Sequence, residues 1–231
     1  MAFETRSSEL LLRAQAETLA VAPRRFGFLA RLLFALMDLA YGRRPTFLKF
    51  RVLEVVARVP YQAWENIAYV AITHCHSDPL FARSIHERVR LAREEQDNEQ
   101  WHLLILQEYI ERRGLHGGWL RYRALPQVLA FVYYHLSWLL YVVSPARSYE
   151  LNRDFEAHAE REYMHFVSAH PELESEPFES AFRSDYGDYA SMADVLRSIG
   201  LDEREHKLIS EGLIAHARFE KPDGAGLSSD A

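Results

Sequence analysis

The 231-residue sequence predicts an all-α fold. Glycine and proline are scarce, at 10 and 9 residues, so the chain has few of the punctuation points that short strands need. Apolar residues recur with helical spacing over long segments, and no run alternates as a half-buried strand does. The breaks fall at 42–45, 77–79, 114–119, 144–145 and 170–180, and the pieces between them have helix lengths.

The helices are expected at roughly 8–20, 25–41, 46–74, 80–113, 125–143, 147–169 and 190–216. The first follows from its periodicity alone. The second, "FGFLARLLFALMDLAY", is apolar almost throughout. The third is a run of Val, Leu and Ala interrupted by Glu54, with Pro60 a possible kink. The fourth carries Leu103, Leu106 and Ile110 on one face, and the sixth Phe155, Ala159, Tyr163 and Phe166. The fifth has no Lys, Arg, Asp or Glu, and the last contains "LDEREH" at 201–206. No internal linker separates two cores, so residues 1–220 are read as one domain and the polar, Gly-rich end, 221–231, as a loose tail.

Composition narrows the function classes. Hydrophobic residues make up 48% and charged residues 26%, which is the make-up of a folded chain and not a disordered one. A net charge of -6 argues against nucleic acid as a partner. Cys75 stands alone, so no intrachain disulfide is possible and a reducing compartment is expected. The start, "MAFETRSSELLLRAQAETLA", lacks a basic stretch followed by an apolar core and contains acids; neither a secretory signal nor a transit peptide is expected, and a bacterial-type cytoplasmic chain is the reading.

Charge is unevenly spread. Residues 23–51 hold Arg24, Arg25, Arg31, Arg43, Arg44, Lys49 and Arg51 against one acid, Asp38. Residues 125–145, "LPQVLAFVYYHLSWLLYVVSP", have the length and composition of a core helix, a membrane span or an in-plane helix in one leaflet. His135, Ser137 and the mid-segment aromatics Tyr133, Tyr134, Trp138 and Tyr141 weaken the span. The arginines and lysine around 26–41 favour the in-plane reading for both segments, since cations meet anionic headgroups while Phe, Leu and Met enter the acyl region.

Glu99 and His102, in "DNEQWH", lie three residues apart and about 60° apart around a helix, so both can reach one ion. Taken alone, such a pair is an ordinary solvated turn. Glu203 and His206 repeat it, however, and Glu54 and Glu156 sit among apolar residues, where a carboxylate is costly unless paired or metal-bound. Glu54 precedes Glu99 by 45 residues and Glu156 precedes Glu203 by 47, as two similar helix pairs would give. One Glu from each of two helices and Glu-x-x-His from each of two others is the ligand set of di-iron carboxylate bundles. The fold expectation is thereby sharpened to a ferritin-like four-helix bundle with a di-iron centre, plus two amphipathic membrane-surface helices at about 26–41 and 125–143. Carboxylate and imidazole donors suit iron or manganese. On the sixth helix Glu156, Tyr163 and Val167 share a face, while His165 is opposite and Glu162 about 120° away. Glu156 is therefore preferred there, with Glu160 next and Glu162–His165 read as surface; Glu65 is a further ambiguous acid.

Four blocks, "LEVVARVPY" at 53–61, "NEQWHLLIL" at 98–106, "SPARSYELNRDFEAHAEREY" at 144–163 and "DEREH" at 202–206, resemble the alternative oxidases, non-haem di-iron quinol oxidases, in particular their plastid terminal oxidase branch. The resemblance implies two iron ions held by Glu54, Glu99, His102, Glu156, Glu203 and His206, a redox-relevant tyrosine at Tyr163, and histidine-orienting roles for Asn98 and Asp202. It implies a quinol pocket to which Leu53, Lys49 and Asp38 correspond. Lys49 stands where the family usually has arginine, and Glu162 where it usually has threonine. The activity implied is quinol oxidation with O2 reduced to water and no proton pumping, with ubiquinol or plastoquinol as donor in respiratory electron transport. The protein would be a homodimer, monotopic on the cytoplasmic face of a bacterial inner or thylakoid-type membrane. The rival readings are a soluble di-iron oxygenase or peroxidase, and a metal-free membrane-surface adaptor.

Overall fold

The computed structural model describes residues 5–221, and among these no β-strand forms. The loose tail expected at 221–231 lies outside the described residues except for Lys221. Helix α1 spans Ser8–Ala20 and starts where the Ser7 side chain accepts the Leu10 N–H. Helix α2, Phe28–Tyr41, ends at Gly42, whose φ of 87° suits a residue without a Cβ. Helix α3, Phe47–Ala57, is capped by Thr46, and α5, Pro79–Arg112, by Asp78 with Pro79 in its first turn.

The helix expected over 46–74 is divided. α3 stops at Ala57, Arg58 takes ψ of -15°, and α4 runs Val59–Cys75. Pro60 is the cause: it has no N–H for the Val56 carbonyl, and its ring crowds that oxygen. A π-helical turn at Leu120–Ala124 leads into α6, Leu125–Val143, which meets α7, Pro145–Ala169, at Ser144. The break at 170–180 contains a 3-10 turn, Pro171–Glu174, and is followed by the one-turn helix α8, Arg183–Tyr186, which periodicity does not reveal. Ser191 caps the last helix, α9, Met192–Ile214.

The bundle consists of α3, α5, α7 and α9. Its core joins Phe50 and Leu53 of α3, Leu106 of α5, Tyr163 and Phe166 of α7 and Leu196 and Ile199 of α9. The Phe50 and Tyr163 rings stack at 4.2 Å. α4 packs on α5 and α6, while α1 lies along α7 and α9. Two apolar helices leave a face uncovered. On α2, Phe28, Leu32, Leu36 and Leu39 are exposed, Leu39 by 84%; on α6, Val128, Phe131, Val132, Leu136, Leu139 and Val143 are exposed. Both runs follow helical spacing, so each forms one stripe. The two helices are tied together beside the π-turn, where Arg121 Nε donates to the Ala40 carbonyl at 2.6 Å and the Tyr41 and Tyr122 rings meet at 5.6 Å. Residues 120–143 are long and apolar enough to cross a membrane by length and composition.

Candidate metal centre

Four helices deliver the predicted residues to one point. Glu54 comes from the last turn of α3, Glu99 and His102 from mid-α5, Glu156 from α7, and Glu203 and His206 from α9; all six are buried. Helical phase brings each to the apolar face, so the packing that buries Leu106 and Ile199 also buries these acids.

They form two overlapping quartets. Ligand atoms of Glu54, Glu99, His102 and Glu203 lie within 4.8 Å of one another, and so do those of Glu99, Glu156, Glu203 and His206. Glu99 and Glu203 belong to both. They are the two shared carboxylates, and Glu54–His102 and Glu156–His206 are the two ends. His102 Nδ1 stands 3.3 Å from Glu54 Oε2, 3.6 Å from Glu99 Oε2 and 3.5 Å from Glu203 Oε1. His206 Nδ1 is 3.0 Å from Glu99 Oε1.

These contacts test whether a metal pair fits. Asp202 Oδ2 accepts the His102 Nε2–H at 3.0 Å, which leaves His102 Nδ1 with its lone pair toward three carboxylates. A lone pair facing anions is tolerable only with a cation or a proton between them. Neither Nδ1, nor Oε2 of Glu54, Glu156 and Glu203, nor either oxygen of Glu99, has a hydrogen-bond partner among the described residues. Four carboxylates and two neutral imidazoles balance two divalent ions, so the donor set fits such a pair. Without metal the same geometry perturbs Glu54, Glu99, Glu156 and the two histidines. Burial, with Glu99 and Glu203 adding to it, drives Glu54 and Glu156 well above the usual carboxylate range. Burial also opposes the ionised form of Glu99, but the two histidines outweigh it and hold Glu99 low. Burial opposes the charged form of both histidines, yet both are pushed up, His102 by Tyr186 and then by Asp202, Glu203 and Glu54, and His206 by Glu203 and Glu99.

A polar layer surrounds the cluster. Tyr163 Oη donates to Glu54 Oε1 in a short contact. Tyr61 Oη donates to Glu156 Oε1 at 2.8 Å and itself accepts from Asn152 Nδ2 at 2.9 Å. The two tyrosines cross over: Tyr163, on the helix of Glu156, serves Glu54, while Tyr61, seven residues after Glu54, serves Glu156. Sequence reasoning gave Tyr61 no role, although it stands seven residues after its carboxylate just as Tyr163 stands after Glu156. Asp202 accepts from His102, Tyr186 Oη at 2.6 Å and Asn98 Nδ2 at 3.3 Å; Asn98 thus reaches His102 through Asp202. Glu95, one turn before Glu99, is a further buried acid that the sequence reading passed over.

The competing acids are elsewhere. Glu160 is held by Lys207 Nζ at 2.6 Å, Arg204 and Thr18. Glu65 is bound to Arg93 at 2.7 Å, and His165 is exposed. Glu162 is half-buried, not a plain surface residue, and lies within electrostatic reach of Lys49 and Asp38. Lys49 is buried with its Nζ on Asp38 Oδ1 at 2.7 Å and on the Gly42 carbonyl at 2.8 Å, joining α2 to α3. Leu53, beside Glu54, is buried in the core.

A family model described as "Alternative oxidase" matches residues 25–213. The chain belongs to the alternative oxidase family. Among curated proteins it is similar to "Ubiquinol oxidase 4, chloroplastic/chromoplastic" of Arabidopsis thaliana, at 33% identity over 142 residues. That match covers 62% of this chain and 37% of the relative, so the chain spans well under two thirds of that protein's length. The relative is plastidial, in keeping with the resemblance to the plastid branch of the alternative oxidases. No solved structure matches. The family match encloses all six clustered ligand candidates; α1 lies outside it.

Proposed function

We propose that this alternative oxidase family member is a membrane-bound non-haem di-iron quinol:oxygen oxidoreductase. The pair of overlapping buried Glu/His quartets is the observation that carries the reading. Glu54, Glu99, His102, Glu156, Glu203 and His206 would hold the two irons; Glu99 and Glu203 belong to both quartets. The bound iron pair would supply O2 binding and the storage of electrons. Two quinols give four electrons and four protons, O2 takes them up as two waters, and two quinones leave.

The chain's own groups have defined tasks. The protein keeps six donors converged in a dry core, which makes their electrostatics strong. Tyr163, with its hydroxyl on Glu54, is the residue we assign to supplying an electron and a proton to O2 reduction; burial and the neighbouring Glu54 keep it protonated well above the usual range. Asp202 and Asn98 orient His102. The quinol would dock beside Leu53, with the Lys49–Asp38 pair at the α2–α3 junction near it. His158 lies beside that pair, pushed down to about 4 by burial and Lys49, so it is neutral at pH 7.

The exposed stripes of α2 and α6 support an in-plane, one-leaflet attachment, with the arginines beside α2 meeting headgroups. They weigh against a soluble oxygenase or peroxidase. A monotopic enzyme carries no protons across the bilayer, so the reaction is non-electrogenic. The family resemblance also supports a homodimer on the cytoplasmic face of a bacterial inner or thylakoid-type membrane, with ubiquinol or plastoquinol as donor. Purified protein in liposomes should consume O2 with quinol in the presence of cyanide. Two irons per chain without quinol-dependent uptake would refute the substrate, and full activity in Glu99→Ala would refute the site.

A further inference from the structure

Asp202 is a buried carboxylate whose two oxygens have different partners. Oδ2 faces inward, to His102, Tyr186 and Asn98, while Oδ1 takes Arg6 Nη1 at 2.6 Å. Arg6 belongs to the segment before α1, which enters from 196 residues away in sequence. Its guanidinium is itself fixed, because Nη1 also reaches the Ser198 carbonyl at 3.1 Å and Ser198 Oγ at 3.0 Å, and Nη2 reaches Glu205 Oε1 at 2.9 Å. Arg6 and Asp202 line a cavity of about 450 Å³ together with Tyr186, Tyr189 and Ser198. Helix α1, which follows, is bound along the ligand-bearing helices: Gln15 Nε2 donates to the Met164 carbonyl on α7, Arg197 Nε on α9 donates to Gln15 Oε1, and Ser8 Oγ donates to Asp194 on α9.

The family match begins at residue 25. The carboxylate behind His102 thus lies inside the family framework, while the guanidinium that holds its outer oxygen comes from outside the match. We propose that Arg6 is a positioning residue of the metal centre: it clamps Asp202 so that the His102 ring is held with Nδ1 toward the cluster. A planar guanidinium anchored at four acceptors fixes where the carboxylate sits, and the carboxylate fixes the imidazole's tautomer and plane. Remove it, and a buried anion loses its cation and gains water through the cavity, so its grip on His102 loosens. The inference rests on the metal reading of the six ligands.

The test uses the full chain loaded with Fe(II), or with Co(II) as a spectroscopic probe, at a temperature well below unfolding. Iron loss to a chelator and the Co(II) visible bands are compared for wild type, Arg6→Ala, Arg6→Lys and Ser8→Ala. A direct partner of a metal ligand is typically worth about 10–100-fold in metal affinity, and Arg6 acts one contact further out, through Asp202, so Arg6→Ala should release iron about five- to tenfold faster and shift the Co(II) bands. Arg6→Lys, which keeps charge without the planar fork, should recover part of the loss. Ser8→Ala loosens α1 without touching Asp202 and should behave as wild type. Arg6→Ala within about twofold of wild type with unchanged bands, or Ser8→Ala matching it, would overturn the proposal. Should Arg6→Ala not fold, wild-type behaviour of Arg6→Lys would overturn it too. A wild-type chain that binds no metal would sink both this inference and the metal reading; one that binds metal indifferently to Arg6 would sink only this one.

Discussion

Glu95 offers a direct measure of what burying these acids costs the fold. It is 3% exposed, and its Oε1 has no hydrogen-bond partner among the described residues. Burial first, and repulsion from Glu99 and Glu94, raise its carboxyl from 4.5 to about 8 against the attraction of His206. Between those two values the folded chain holds a proton at this site that the unfolded chain has released. The group's contribution is therefore complete below about pH 4.5 and is lost as pH rises through about 8. At about 1.36 kcal/mol per pKa unit the whole window amounts to at most about 5 kcal/mol, and relaxation around a coupled cluster brings the expected effect nearer about 2 kcal/mol. Glu95→Gln keeps the shape and removes the titration. Urea denaturation of the metal-free chain in chelator should find the two proteins similar near about pH 5 and the variant ahead by about 2 kcal/mol or more above about pH 8. Parallel stability curves across that range, or a variant that falls further behind as pH rises, would refute the reasoning.

Replacing Glu99 or Glu203 with Ala should strip both metals, since each serves both quartets, whereas Glu54→Ala or Glu156→Ala should leave about one per chain; iron analysis after gel filtration decides it. Tyr163→Phe should lose quinol-dependent O2 uptake, and both Tyr163→Phe and Tyr61→Phe should weaken iron retention, at the Glu54 and the Glu156 end respectively, because each hydroxyl is a buried carboxylate's donor; iron retention equal to wild type in both variants would count against that role for the crossed pair. Leu39→Glu combined with Leu136→Glu should leave urea stability within about 1 kcal/mol, both positions being exposed, yet weaken binding to anionic liposomes by at least about tenfold, as losing two buried leucines implies. Unchanged liposome binding would remove α2 and α6 from the membrane account.

Much of the site is legible because helix phase is local. A residue's face follows from counting about 100° per position, and Glu54, Glu99, Glu156 and Glu203 each fall on an apolar face where an unpartnered acid would be costly. That argument also separates Glu156 from His165. It fails at Glu162, which is half-buried and within electrostatic reach of Lys49 and Asp38, residues brought there by other helices. It also overlooks Glu95, since one charged residue among "REEQDNE" looks solvated until α9 is laid beside it. The helix spans are legible for the same reason, with the division at Arg58 foreshadowed by Pro60. The one-turn α8 is too short for any period to register.

The amino-acid sequence by itself therefore determined the class of fold, the six convergent donors and the family, because periodicity, spacing and costly buried charge are properties of single helices and their order. Only the tertiary structure decided how those donors are shared. Glu99 and Glu203 became common to both quartets, the two tyrosines crossed to each other's carboxylates, and Arg6 reached Asp202 from 196 residues away. The physical reason is that a helix's face is set by bonds within it, whereas which face it meets, and at what height, is set by packing against every other helix at once.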